Sequence, residues 1–277
     1  MKLSEIKQTL AEHQLQLTKS LGQNFLHDAN QLQRIVTAAE LTPRDKVLEV
    51  GPGLGPLTEL IAGKCEHVLA IEKDQRLFEL LKQRLSSVST LEIIHADALQ
   101  YVRECRNWAE WKVVSNFPYS VASPVLVELA QAASSPRLII ATLQSEVGER
   151  IMAAPDTDHY GLLTLLLQLR YQPEKSFKIP RTCFFPEPEV DSSCIVLRLR
   201  SSPLLLPSVE NVFIKIVKQA FSQRRKMMLK LLKQHWPEPQ LSAAFGQAEL
   251  SPKIRAEAVS LEQFVQLTQS LTGNSQT

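Results

Sequence analysis

Between residues 46 and 199 the chain alternates two hydrophobic patterns. Short runs, apolar at most positions in all but 170–178, fall near 46–50, 67–72, 91–95, 111–115, 137–143, 170–178 and 193–199. Among them lie stretches near 55–64, 75–86, 121–133 and 145–154 whose apolar side chains recur every three to four residues. The first pattern predicts strands and the second amphipathic helices. Alternation of this kind builds a mostly parallel sheet with helices on both faces, and ligands bind such sheets at the carboxyl ends of their strands. Ahead of the sheet, residues 1–18 read as a short mixed-charge helix with Leu3, Ile6 and Leu10 on one side. A second amphipathic helix is expected from about Asp28 to Glu40, with Asp28 or Asn30 as its N-cap. After Ser201-Ser202-Pro203 the strand pattern stops and helices dominate. The expected division is an α/β domain over 1–200, with 1–27 as an N-terminal extension, and a small all-α domain over 201–277.

Each predicted strand from the first to the fourth ends on a group suited to ligand chemistry. The first runs into Gly51-Pro52-Gly53-Leu54-Gly55-Pro56. Glycine lets a backbone approach a ligand closely, and the helix that follows offers free N–H groups. The spacing is Gly-x-Gly-x-Gly, with Pro56 where a dinucleotide fingerprint places its third glycine. Glu72 follows the second strand, where a carboxylate can accept both hydroxyls of a ribose. Asp97 follows the third, where it can accept from the exocyclic amine of an adenine or simply cap the next helix. The cassette from Glu49 through Gly51, Gly53 and Gly55 to Glu72 resembles motif I of the class I S-adenosylmethionine-dependent methyltransferases.

After the fourth strand comes Asn116-Phe117-Pro118-Tyr119. An exocyclic amine on a base has its lone pair delocalised into the ring, so a methyltransferase must hold it with the lone pair aimed at the methyl group. The Asn116 side-chain oxygen and the Phe117 carbonyl can each accept one N–H, Pro118 stiffens the turn, and Tyr119 can stack on the base. By itself Asn-x-Pro-Tyr is also an ordinary turn with a packed aromatic. After a strand, in a chain with the cofactor cassette, it is the pattern shared by DNA and RNA amino-methyltransferases. A base inside a helix is unreachable, so the target must be unstacked or flipped. No general base is required, and no histidine is assigned a catalytic role.

Composition narrows the setting. With 277 residues and 44% hydrophobic content the chain can build one large domain and a small one. No apolar run approaches the roughly 18 residues of a membrane span, and Met1-Lys2-Leu3-Ser4 opens no secretory core, so a cytoplasmic protein is expected. Cys65, Cys105, Cys183 and Cys194 form no metal-ligand pattern and are expected as reduced thiols. Net charge is only +2, yet residues 209–235 hold seven basic residues against the single acid Glu210, a local net of +6. That concentration suits a phosphate backbone, or else a basic solvated face.

Further strings make the resemblance closer. They are Lys19-Ser20-Leu21-Gly22-Gln23-Asn24-Phe25-Leu26, Gln144-Ser145-Glu146-Val147-Gly148-Glu149-Arg150, the Phe184-x-Pro186-x-Pro188-x-Val190-Asp191-Ser192 loop, Phe221-Ser222-Gln223-Arg224-Arg225-Lys226 and Ile254-Arg255-Ala256-Glu257. Together, over roughly residues 19 to 265, they resemble the bacterial-type small-subunit ribosomal RNA adenine dimethyltransferases. The resemblance implies a Rossmann-like class I methyltransferase fold with S-adenosylmethionine as cofactor, acting on the N6 groups of two adjacent adenosines in the terminal hairpin loop of 16S rRNA. It implies a partner in the assembling 30S subunit, and a monomer is the simplest state. It also implies cofactor contacts by Asn24, Leu26, Gly51, Gly53, Glu72, Asp97 and Asn116, and RNA contacts by Lys19, Arg224, Arg225 and Lys226. Phe185 becomes the candidate second stacking face, with a core role for Phe184 or Phe185 as the alternative. Leu162 stands where relatives often carry arginine, Ser115 where glycine is usual, and Met227-Met228 replace a more polar continuation. The rivals are a large-subunit rRNA methyltransferase of the antibiotic-resistance type, an idle RNA-binding assembly factor on the same fold, and a dinucleotide-dependent oxidoreductase.

Overall fold

A computed structural model of the chain describes residues 1–17, 22–223 and 225–273. In chain order the first part holds Leu3–Glu12 (α1), Phe25–Leu26 (β1), Ala29–Ala38 (α2), Lys46–Val50 (β2), Pro56–Ala62 (α3), His67–Glu72 (β3) and Gln75–Arg84 (α4). Leu91–His95 (β4), Ala98–Glu104 (α5), Trp111–Asn116 (β5), Ala122–Ala130 (α6), Leu138–Gln144 (β6) and Ser145–Met152 (α7) follow. The remainder is Leu162–Gln168 (α8), Tyr171–Ile179 (β7), Phe184–Phe185 (β8), Ser192–Leu199 (β9), Glu210–Ala220 (α9), Met228–Leu232 (α10), Glu238–Gln247 (α11) and Leu261–Thr272 (α12).

Seven strands form one sheet in the order β4-β3-β2-β5-β6-β9-β7. β4, β3, β2, β5 and β6 run parallel, and β9 lies antiparallel to β6 from Leu138↔Arg198 to Gln144↔Ser192. The central strands are apolar on both faces because helices cover both: Val47, Leu48, Val113, Val114, Ile139 and Ile140 are all fully buried. Asp28, Asp74 and Asp97 cap α2, α4 and α5, each accepting backbone N–H groups of the first turn. The short pairing of β1 with β8, which sets Phe25 against Phe185, has no counterpart in the hydrophobic pattern.

The chain divides into two compact units, 1–148 with 172–199, and 149–171 with the residues from 200 onward. Residues 149–171, numbered within the expected 1–200 domain, therefore belong to the helical unit. There Tyr160 donates its hydroxyl to the Val259 carbonyl at 2.8 Å, and Arg170 pairs with Glu210 at 2.7 Å. Phe213, Phe245 and Phe264 form the core of that unit.

At the amino ends of β2, β5 and β6, far along the strands from their ligand-binding ends, the first unit holds a buried ion pair with a half-exposed arginine beside it. Asp45 accepts from the Lys112 ammonium at 2.9 Å and pairs with Arg137, while Lys112 also donates to the carbonyls of Ala39 and Glu40. Burial pushes the Lys112 pKa down, and the Glu40 carboxylate offsets that only in part. Removing one member of such a pair leaves a buried charge without its counter-ion. Asp45→Ala is expected to lower stability by about 3 kcal/mol in urea unfolding. A loss under roughly 1 kcal/mol would show that the two carbonyls suffice for the ammonium.

Candidate active site

The carboxyl ends of β2, β3, β4 and β5 surround a cavity of about 250 Å³. It opens where the sheet order reverses, with β3 on one side of β2 and β5 on the other, the place where open parallel sheets form a crevice. Asn24, Leu26, Gly51, Gly53, Glu72, Asp97 and Asn116 all line it, together with Phe117 and Pro118.

The glycine turn is shaped by protein as much as by any ligand. Gly51, Gly53 and Gly55 have φ of +65°, +61° and +80°, a region other residues enter only with strain. A Cβ on Gly51 would stand 2.5 Å from Cγ of Pro118, and one on Gly53 would stand 2.8 Å from the Phe25 ring. The space that glycine frees is thus occupied from two directions, by the turn after β5 and by the N-terminal segment.

Three carboxylates face the cavity in different states. Glu72 is nearly buried and accepts the N–H of Gly53 at 3.1 Å and that of Asp74 at 2.9 Å; burial raises its pKa while these bonds draw it back. Asp97 pairs with Lys73 at 2.7 Å and also caps α5 through the amides of Leu99 and Gln100; the lysine holds its carboxyl below the usual range. Of the two functions open to Asp97 in the sequence, the structure shows the cap, which uses Oδ1, while Lys73 reaches Oδ2. The third acid, Glu49, was not among the expected site residues. It is 2% exposed, lines the cavity, and its Oε2 has no hydrogen-bond partner among the described residues. Burial pushes its pKa up to about 8, opposed by the nearby Thr58 hydroxyl and reinforced by the charge of Glu72. The available signal was an acid inside the apolar run Val47-Leu48-Glu49-Val50.

Asn116 is held from several sides. Its Nδ2 donates to the Asn24 carbonyl at 3.0 Å, which leaves Oδ1 buried, beside the cavity, and without a partner among the described residues. The preceding Ser115 donates its hydroxyl to the Val50 carbonyl at 2.7 Å, joining the end of β5 to the end of β2 beyond their last backbone pairing at Leu48↔Val113. The following Phe117 donates its N–H to the Thr142 carbonyl of β6 at 3.1 Å. Gly22 packs on the backbone of Tyr119 and Ser120, where a Cβ would lie 3.2 Å from the Tyr119 nitrogen. The carboxamide oxygen is thus presented by a fixed turn, ready to accept an N–H.

Other expected site residues lie elsewhere. Tyr119 does not line the cavity; its hydroxyl is 2.7 Å from that of Ser192. Phe185 does not line it either: it packs with Phe25, Ile6 and Leu10, with the Lys7 ammonium 5.5 Å from its ring centre. Lys19 and Arg224 lie outside the described residues. Arg225 and Lys226 are exposed in the helical unit, as are Lys215, Lys218, Lys230 and Lys233. Among the described residues no group of His, Cys, Asp and Glu could hold a metal ion, and no helix is long and apolar enough to cross a membrane.

A family model described as "Ribosomal RNA adenine dimethylase" matches residues 14–273. The chain is 36% identical to the "Ribosomal RNA small subunit methyltransferase A" of Latilactobacillus sakei, over 96% of this chain and 93% of that one. It is 37% identical to the protein of the same name from Anoxybacillus flavithermus, over 96% and 94%. Among solved structures it resembles the 23S rRNA methyltransferase ErmE, with a TM-score of 0.69 and 28% identity over 90% of this chain and 99% of that one. A dimethyladenosine transferase from Plasmodium falciparum shares the fold with a TM-score of 0.71 at 22% identity, over 88% and 95%.

The buried state of Glu49 makes a stability prediction that needs no ligand. Its carboxyl titrates near 4.5 in the unfolded chain and at about 8 in the folded one, so the folded state holds the proton more tightly. The contribution is present in full below pH 4.5 and is lost as pH rises through about 8. In urea unfolding at pH 5 and pH 8, the unsubstituted protein is expected to lose more stability between the two than Glu49→Gln. Equal pH dependence of the two proteins would place the ionised carboxylate in the folded state at neutral pH.

Proposed function

The chain belongs to the ribosomal RNA adenine dimethylase family, and from that membership together with the cavity we propose that it methylates N6 of adenines in small-subunit rRNA with S-adenosylmethionine as donor. The substrate is the pair of adjacent adenosines in the 3′-terminal hairpin loop, each converted to N6,N6-dimethyladenosine. The observation that carries the small-subunit assignment is the identity of 36–37% to small-subunit enzymes over nearly the full length of both partners.

The residues at the cavity fit the donor. The buried Glu49 Oε2 there lacks a partner among the described residues, which suits a ligand that brings a cationic group. Glu72 would accept the ribose hydroxyls, Asp97 the exocyclic amine of the donor's adenine, and Glu49 a cationic group of its methionine end. Asn24 and Leu26 would close over that end. When bound, S-adenosylmethionine supplies a methyl group made electrophilic by its sulfonium.

The chain's own part is positioning. Oδ1 of Asn116 accepts one N–H of the target amine and the Phe117 carbonyl accepts the other, which draws the nitrogen toward tetrahedral geometry and aims its lone pair. The Tyr119 ring stacks on the base, which must first leave the RNA stack. The proton is released to water after transfer, so no side chain acts as base. Arg225 and Lys226, with Lys19 and Arg224, contact the RNA backbone, and the net +6 of residues 209–235 supports that assignment. The enzyme acts in the cytoplasm as a monomer on an assembling 30S subunit.

The experiment is transfer of labelled methyl to ribosomal subunits that lack these modifications, followed by identification of the modified nucleosides by mass spectrometry. N6,N6-dimethyladenosine at adjacent positions of the small-subunit RNA is expected. Label in large-subunit RNA alone would favour the reading suggested by the 28% identity to ErmE, and RNA binding without transfer would favour an assembly factor.

A further inference from the structure

The loop that carries Phe185, Asp191 and Ser192 is singled out by the sequence, yet the Phe185 ring is engaged away from the cavity. Its contact with the catalytic turn is made instead by Ser192, whose Oγ lies 2.7 Å from the Tyr119 hydroxyl. Ser192 is fully buried and opens β9, directly opposite Gln144 of β6. The residue before it is fixed on three counts. The Asp191 carbonyl accepts the N–H of Ser145 at 3.0 Å, and its carboxylate accepts the N–H of Arg181 at 2.9 Å and pairs with Lys178 at 2.6 Å.

Ser192 is therefore anchored to the sheet independently of the Asn116 turn. The Tyr119 ring is held at its backbone end by that turn and at its hydroxyl end by Ser192. A tyrosine tied only through its backbone can change χ1 among staggered wells, and one tied at both ends is held in a single χ1 well, with its ring kept in one place. Stacking on a flipped purine needs the ring in place beforehand, because an ordering cost at the moment of reaction subtracts from catalysis.

We propose that Ser192 is a positioning residue for methyl transfer, acting through Tyr119 by fixing the place of the ring on which the target adenine is laid. This rests on the adenine-methylating activity proposed above. It assigns the Val190-Asp191-Ser192 segment a role in transfer as well as in the sheet.

The test compares the full-length protein with Ser192→Ala, Tyr119→Phe and the double variant. Each is measured for single-turnover methyl transfer to unmodified small subunits, for S-adenosylmethionine affinity by calorimetry, and for Tm. Each single variant is expected to slow transfer about tenfold, the scale of one hydrogen bond, with cofactor affinity and Tm close to the parent. The double variant is expected to be no slower than Tyr119→Phe alone, since both remove the same bond. Tyr119→Phe breaks the bond without touching β9, so it keeps the test decisive if Ser192→Ala folds poorly. Parental rates in either single variant, or losses that multiply in the double variant, overturn the role of Ser192. So does a loss that only follows Tm or cofactor affinity. A parent protein that transfers no methyl to adenine overturns the activity itself, and an active parent with an unaffected Ser192→Ala overturns only the proposal.

Discussion

The contact between Gly51 and Pro118 sets the spacing on which the rest of the site depends. Gly51 ends β2 and Pro118 follows β5, and only a residue without Cβ lets the proline ring approach as it does. With the two turns in contact, the Ser115 hydroxyl reaches the Val50 carbonyl, and the strand ends stay joined beyond the last backbone ladder. The distance between the donor side of the crevice and the carboxamide of Asn116 then follows from covalent geometry. A wider turn would also separate Asn116 from the Asn24 carbonyl that orients it. The glycines after β2 thus bring the protein's own elements together, and in doing so they shape the space offered to a ligand.

Polarity in the cavity is divided between groups that are satisfied and groups held in reserve. Glu72 and Asp97 already accept backbone N–H groups, which fixes their orientation while leaving lone pairs for further bonds. Glu49 and Asn116 each keep one buried oxygen with no partner among the described residues. Unpaired buried oxygens cost free energy in the absence of a ligand, and that cost is returned when a donor arrives. A raised carboxyl such as that of Glu49 adds a condition: a cationic group favours the ionised form, so cation binding and proton release are linked.

Much of the fold was legible because most of its strands are apolar and regularly spaced. The seven strands lie within a residue or so of the runs that predicted them, and the parallel arrangement follows from the helices between them. The pairing of Phe25 with Phe185 was not legible, because two-residue strands carry no period and their partners are distant in sequence. Nor was the membership of 149–171 in the helical unit, which depends on tertiary contacts such as Tyr160 to Val259. In the site, motif spacing indicated Asn116 and Glu72 but said nothing of what orients them. Ser115 stood out only as a departure from glycine, and its bond to Val50 requires the two strands to be adjacent. Glu49 was visible as an acid in an apolar strand, but that its oxygen lacks a partner depends on the packing around it.

The central claim is that the Asn116 oxygen, aimed by the Asn24 carbonyl, holds the target amine and has little part in holding the donor. The most direct measurement is Asn116→Ala, with single-turnover methyl transfer and S-adenosylmethionine affinity determined side by side. A loss of transfer on the order of a hundredfold or more, with cofactor affinity changed by less than about threefold, is the expected result. An equal loss of both would make Asn116 a structural part of the cofactor cavity. Transfer at the parental rate would remove it from the chemistry altogether.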